Sequence, residues 1–178
     1  GTITQNTDRS HEGRVYEDVP GDRGGPTKCG VTLGRWADCK KVKLPKRGSA
    51  AWTALRDELR NASMAEIEEI YRRDYWAAVG GDDLPAGIDL SVFDMAVNAG
   101  PGRSVRQLQS AVGVVTDGIL GPISLAASRT MDATFLIGNL WRRQMAYYES
   151  LPTFDTFGHG WTNRTDERRA AALRLIGV

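Results

Sequence analysis

Ser63-Met64-Ala65-Glu66-Ile67-Glu68-Glu69-Ile70-Tyr71 decides the fold class. Ser63 can accept from the amide three residues on, and Glu66 can reach back to the Ser63 amide, which is the reciprocal cap of a helix start. Met64, Ile67, Ile70, Tyr71 and then Val79 put apolar side chains at helical spacing. Gly80-Gly81 ends the segment. Downstream, Leu90 to Ala99 reads as a second helix with Val92, Phe93, Ala96 and Val97 inward. Gly100-Pro101-Gly102 breaks the chain. Val105, Leu108 and Val112 mark a third helix. Asp117-Gly118-Ile119-Leu120-Gly121-Pro122 reads as a turn whose proline suits the first turn of the next helix. Asp132 caps a long helix from Ala133 to Ser150, with Phe135, Leu136, Leu140, Trp141 and Tyr148 near one face. Leu151-Pro152 stops it, and a last helix is expected over Thr165 to Leu175. The chain is therefore mainly α.

Upstream the pattern changes. Glu17 to Leu33 is rich in glycine, carries Pro20 and Pro26, and predicts a small loop or hairpin excursion near the N-terminus. A long loop in a compact domain is usually functional or flexible.

Composition sets the outer bounds. The chain has 178 residues, 41% hydrophobic and 25% charged, which suits one folded unit of ordinary globular kind. No apolar run approaches the roughly 18 residues that span a bilayer, so no stable membrane insertion is expected. Lys plus Arg total 23 and Asp plus Glu 22, a net charge of +1, so nothing points to nucleic acid. Cys29 and Cys39 are too few for a disulfide framework and read as free thiols. Gly1 to Asn6 shows no basic or apolar region of a signal peptide.

Chemistry concentrates in His11-Glu12-Gly13 and the loop behind it. Asp22 follows Glu12 by ten positions and Thr27 follows Asp22 by five. A helix-end glutamate facing an aspartate and a threonine is a workable glycosidase layout. Glycoside cleavage needs an acid for the leaving oxygen and usually a second carboxylate for water or for the developing positive charge. A partly buried Glu can keep its proton, while an Asp on a polar loop stays ionised. Other readings fail. His11-Glu12 lacks a second histidine four residues on, no cluster has metal-ligand spacing, and Gly21 to Lys28 does not form a phosphate loop. His11 reads as structural and His159 as a surface loop residue. Tyr75 and Trp76 can be core aromatics or a sugar-stacking wall. Asp94 and Asn98, spaced i, i+4 on an apolar helix, need partners. They can bind acetamido or hydroxyl groups, or brace the glycine-rich loop. The arginines from Arg164 to Arg174 read as a solvated helix face.

These stretches are collinear with a known pattern. His11-Glu12-Gly13, Asp22-Arg23-Gly24-Gly25, Thr27 and Gly30-Val31-Thr32 resemble the opening motif of glycoside hydrolase family 108, the bacterial and phage N-acetylmuramidases. Ile70 to Trp76 looks like its Tyr-x-x-x-Tyr-Trp helix, and Phe93 to Gly100 like its Phe-Asp-x-Ala-Val-Asn-x-Gly segment. Leu108-Gln109 and Asp117 to Pro122 look like the part usually described as peptidoglycan-binding. The resemblance covers nearly the whole chain. It departs at Gly13-Arg14-Val15, where the family has Gly-Gly-Tyr, at Arg23 for proline, and in the polar run Thr4 to Ser10.

The resemblance implies a lysozyme-like fold. It implies a catalytic region over residues 1–100 and a helical peptidoglycan-binding-like region over residues 101–178, packed as one unit. It implies cleavage of the β-1,4 bond between N-acetylmuramic acid and N-acetylglucosamine. Glu12 would be the general acid, with Asp22 and Thr27 orienting water. Tyr75, Trp76, Asp94 and Asn98 are the expected substrate-binding residues. No metal and no organic cofactor is implied. The expected partner is the peptidoglycan glycan strand, and the expected state is a monomer acting in the periplasm or cell wall as an endolysin or secretion-associated hydrolase. Two alternatives stand beside this reading: a lytic transglycosylase, and a non-catalytic peptidoglycan-binding protein of the same fold.

Overall fold

The computed structural model describes residues 16–18 and 25–178. They fall into two compact units, one ending at Ile70 and one running from Tyr71 to Val178.

In the first unit the glycine-rich excursion is a three-stranded antiparallel sheet in the order β1 (Tyr16–Glu17), β2 (Thr27–Lys28), β3 (Val31–Thr32). Cys29 and Gly30 join β2 to β3 with φ of 47° and 80°. Two positive φ values in a two-residue loop are the pattern of a type I′ turn, whose twist matches the flanking strands. Thr32 ends the sheet and starts α1 (Leu33–Cys39), its Oγ1 accepting from the Arg35 amide at 3.2 Å. Ser49 does the same for α2 (Ala50–Asn61) through the Trp52 amide at 3.2 Å. The expected cap of α3 (Met64–Tyr71) forms. The Ser63 amide donates to Glu66 Oε2 at 2.9 Å, and the Glu66 amide to Ser63 Oγ at 3.3 Å. Leu33, Trp36, Ala37, Leu55, Leu59, Ile67 and Ile70 are buried.

The second unit opens on a departure from expectation. The helix does not run regularly to Val79: Arg72–Trp76 is a π turn and Ala77–Val79 a 3-10 turn, ended by left-handed Gly80. The widened turn brings Tyr75 to 5.6 Å from Tyr71 and Trp76 edge-on to Phe93 at 5.6 Å. After it come α4 (Ile88–Ala99), α5 (Pro101–Val112), α6 (Pro122–Thr130), α7 (Ala133–Glu149) and α8 (Phe154–Leu175). Pro101 and Pro122 occupy first helical turns, where the missing N–H costs nothing. Asp132 caps α7 through the Phe135 amide at 2.7 Å.

One core joins these helices. Ile88, Val92 and Ala96 of α4 meet Val105 and Leu108 of α5, Leu136, Ile137 and Leu140 of α7, and Ala172 of α8. Each large aliphatic side chain so buried stabilises by roughly 1.5–3 kcal/mol relative to exposure. Two expectations change here. Phe135 points outward, 55% exposed, and Ile137, Gln144 and Met145 complete the inner face instead. The last helix starts at Phe154, three turns before Thr165, so His159 is a helical surface residue and not a loop residue. The reason is Gly158. A Cβ there would lie 2.8 Å from the Phe154 ring, so this glycine is a seat for an aromatic side chain inside the helix.

Candidate active site

Of the three expected catalytic residues, Glu12 and Asp22 lie outside the described residues, and Thr27 is described. Thr27 is half-buried in the middle strand, opposite Glu17 on one side and Thr32 on the other. Directly opposed residues share a face, so Glu17, Thr27 and Thr32 form a polar row across the sheet. Lys28, the next residue, points to the other face. It is buried, and its Nζ donates to the carbonyls of Arg60, at 2.8 Å, and Ala62. These carbonyls belong to the C-terminal end of α2, where acceptors lack helical partners and a cation is favoured. The ammonium thus pins β2 to α2 and leaves Thr27 facing away. Tyr16 and Asp18 secure β1 to the same helix. The Arg60 guanidinium lies 5.5 Å over the Tyr16 ring, and Arg56 lies 4.0 Å from Asp18. Sequence reasoning missed Lys28 and Glu17. A lysine among glycines reads as exposed, and only the strand register shows that Glu17 opposes Thr27.

The described residues of the second unit hold the expected sugar-binding set. Trp76 is half-buried and firmly seated. Its Nε1–H donates to Asp82 Oδ1 at 2.9 Å, and Asp82 is held in turn by Arg72 at 3.2 Å. The indole lies on Gly81, where a Cβ would come within 2.4 Å of the ring. Phe93 of α4 completes the group, 6.5 Å from Tyr71. The result is a preorganised aromatic wall. Such a wall suits the apolar face of a sugar, because its orientation is already fixed before the ligand arrives.

Asp94 and Asn98 separate in role. The Asp94 carboxylate is buried and engaged on both oxygens. Gln144 Nε2 donates to Oδ2 at 2.8 Å, and Arg168 lies 3.5 Å from Oδ1. Gln144 also donates to the Tyr148 hydroxyl at 3.0 Å, and Arg164 donates to the same oxygen at 3.1 Å. Burial pushes the Tyr148 pKa up, so it remains a phenol. Asp94 is therefore the centre of a network tying α4 to α7 and α8. Arg164 and Arg168, expected on a solvated face, are part of it. Asn98 is half-buried, its amide donating to the Asp94 carbonyl at 2.7 Å one turn back.

Leu108-Gln109 and the Asp117 turn are one structural unit. Gln109 is 1% exposed, and its amide nitrogen reaches Asp117 Oδ1 at 2.7 Å, the Ile119 carbonyl at 3.0 Å and Ser124 Oγ at 3.2 Å. Its oxygen accepts from the Gly118 amide at 2.8 Å. The Gln109 bond, and then the Ile119 amide, hold the Asp117 carboxyl below the usual carboxylate range. Cys29 and Cys39 are half-buried and are not joined in a disulfide. Among the described residues, no group of three His, Cys, Asp or Glu side chains is placed to hold a metal ion.

Comparison with known proteins gives two findings. The family described as Glycosyl hydrolase 108 matches residues 7–100, the span that contains His11-Glu12-Gly13, Asp22, Thr27 and the Phe93 to Asn98 segment. The solved structure of Brucella abortus SagA superposes with a TM-score of 0.79 at 39% sequence identity, covering 92% of this chain and 88% of that one. No curated protein matches the chain.

Proposed function

This chain belongs to the glycosyl hydrolase 108 family, and from that premise we propose that it is an N-acetylmuramidase acting on peptidoglycan through Glu12. Its lysozyme-like, mainly α fold is the setting. In this reading a glycan strand lies with the bond between N-acetylmuramic acid and N-acetylglucosamine at Glu12. The Glu12 carboxyl protonates the leaving glycosidic oxygen. Asp22 stays ionised and, with the Thr27 hydroxyl, orients the attacking water or offsets positive charge at the sugar carbon. Tyr75 and Trp76 stack on a sugar ring, and Asn98 offers its amide to an acetamido or hydroxyl group. Asp94 keeps α4, the helix that carries Asn98, in position through Gln144 and Arg168. The place of action is the bacterial cell wall.

The observation that carries the reading is the family match over residues 7–100, because it spans the candidate acid, its two partners and the Phe93–Asn98 segment in one collinear stretch. General acid catalysis contributes roughly 10²–10⁴-fold to rate. Glu12→Gln is therefore expected to lower cleavage by at least that factor with the fold retained. The test is mass spectrometry of purified peptidoglycan after digestion and borohydride reduction, with Glu12→Gln alongside. Reduced muramic ends, lost in the variant, support the muramidase. Anhydro-muramic ends would transfer the chain to the lytic transglycosylases. Wall binding without released sugars across a pH range would leave the non-catalytic reading standing.

A further inference from the structure

The face of the second unit formed by α5 and α7 carries a cavity of about 450 Å³ whose lining includes three guanidinium groups, from Arg103, Arg106 and Arg143. Nothing in the proposed hydrolysis uses it. The direct contacts of the three heads are with neutral groups. Arg143 donates from Nε to Asn139 Oδ1 at 3.0 Å and from its two terminal nitrogens to the hydroxyl and carbonyl of Ser110, at 2.9 and 3.2 Å. Arg103 lies 4.5 Å over the Tyr147 ring. Arg106 reaches the Asp117 carbonyl at 3.4 Å and packs on Gly118, where a Cβ would meet its Cζ at 2.9 Å. The carboxylate that senses Arg106, Asp117, already accepts from Gln109 and from the Ile119 amide.

This arrangement has a physical consequence. Three like charges on one cleft repel one another; hydroxyl, ring and carbonyl partners do not neutralise Arg103 and Arg143, and Asp117 offsets Arg106 only in part. Each guanidinium has five donors in a planar fork, and the contacts above leave several of them for a ligand. Such forks match carboxylates in two-point geometry. The heads are also oriented in advance, so little side-chain freedom remains to be lost on binding. The chain as a whole has a net charge of +1, so this is a local feature and not part of a general basic surface.

We infer that the α5–α7 cleft is a carboxylate-binding site that takes the peptide stem of peptidoglycan. The inference rests on the proposed cell-wall substrate and deepens it, adding recognition of the stem to recognition of the glycan. Three guanidinium groups spread over one cleft suit several carboxylates spaced along a short peptide better than a single compact anion. The volume is within the range of small-ligand sites. The Tyr147 ring supplies an apolar wall for the aliphatic part of such a peptide.

The test uses the full chain and the tripeptide L-alanyl-D-glutamyl-diaminopimelate, which carries no sugar. Binding is followed by chemical-shift titration. A tripeptide with its carboxyls converted to amides and inorganic phosphate are the two controls. The free-acid peptide is expected to shift resonances of α5 and α7, and the amide form to bind at least tenfold more weakly. Arg103 is exposed, so Arg103→Gln is expected to fold normally, checked by thermal unfolding, and to weaken the free acid by about tenfold. Arg143→Lys, which keeps the charge and removes the fork, is expected to weaken it as well. Equal binding of the amide form, displacement by phosphate at equal concentration, or an unchanged Arg103→Gln would each overturn the inference. The two readings fail separately. If Glu12-dependent cleavage proceeds but the tripeptide does not bind, only the stem site is lost. If the tripeptide binds through the arginines but no sugar is released, the muramidase reading is lost and the stem site stands.

Discussion

Lys28 in the first unit and Gln109 in the second are both buried polar side chains that bond to backbone, yet their surroundings differ. Lys28 sits in a strand two residues long, and its two acceptors close one helix end. Gln109 sits on a twelve-residue helix whose Val105 and Leu108 are already locked into the core. Its bonds shape one turn, residues 117 to 119, and join Ser124 behind it. In the hairpin, polar contacts from Lys28, Tyr16 and Asp18 to α2 hold the sheet that carries Thr27. In the helical unit, apolar packing holds the elements and the polar contact only finishes a loop. The described strands around Thr27 therefore depend on polar contacts more than the helices of the second unit do.

Replacing each side chain by an apolar one of similar length tests this contrast most strongly. Lys28→Met leaves the buried Ala62 carbonyl and the part-buried Arg60 carbonyl without their donor, at a cost of about 3 kcal/mol. Gln109→Leu strands the Gly118 amide and the Ser124 hydroxyl, but the turn is at the surface and water can reach part of it, so the cost is about 2 kcal/mol. Hydrogen exchange should separate the two further. Lys28→Met is expected to raise exchange across β2, β3 and the end of α2. Gln109→Leu should raise it only around residues 114 to 121. If Lys28→Met left the hairpin amides as protected as before, the polar contact would not be what holds the sheet.

How far each region can be read from sequence follows the same division. Caps and breaks are local, so the Ser63–Glu66 pair, Pro101, Pro122 and Asp132 all appear where their chemistry requires. Contacts that span the chain are not legible. Lys28 finds its acceptors 32 and 34 residues away, and Asp94 finds Gln144 50 residues away. The spacing of Asp94 and Asn98 announces that buried polar groups need partners, but it cannot say which. The early start of α8 is hidden for another reason. Gly158 and Gly160 signal a break, and only the Phe154 ring against Gly158 shows a helix packed through its glycine. The π turn at Arg72–Trp76 is hidden too, since periodicity there fits an ordinary helix equally well. For the site, the motif carrying Glu12, Asp22 and Thr27 is legible as chemistry, while the row that sets Glu17 beside Thr27 requires the register.

Acid sharpens the comparison at a lower amplitude. Among the described residues, Glu66 in the first unit and Asp117 in the second are surface carboxylates pulled below the ordinary range by local donors. For Glu66 the chief donor is the Ser63 amide, and for Asp117 it is the Gln109 side chain. A carboxylate with a depressed folded pKa contributes stability that is present above its unfolded value, roughly pH 4, and lost as pH falls through the folded value. Glu66→Gln and Asp117→Asn are each expected to flatten the acid limb of the stability curve below about pH 4, with little change in slope near neutrality. Exchange at acid pH should assign the first effect to α3 and the second to the 117–119 turn. A steeper acid limb in either variant would mean that its carboxylate is not stabilised as the hydrogen bonds indicate.

The smallest effect is the one most specific to the hairpin. Cys29 holds φ at 47°, a left-handed conformation that a residue with a Cβ adopts at some cost and that asparagine tolerates best among such residues. Gly30 after it meets the second positive φ freely. A type I′ turn prefers Asn-Gly, so Cys29→Asn is expected to stabilise the first unit by about 0.5 kcal/mol. The change gives up a 3.9 Å contact of the thiol with Met64 Sδ, which is weak. The expected signature is a small rise in denaturation midpoint, with the exchange of α4 and α5 unchanged. It should also rescue part of the Lys28→Met loss, because both substitutions act on the same two strands. If Cys29→Asn instead lowers stability, the thiol contact outweighs the backbone strain. The hairpin would then be held through its turn as well as through Lys28, and the contrast with the helical unit would weaken.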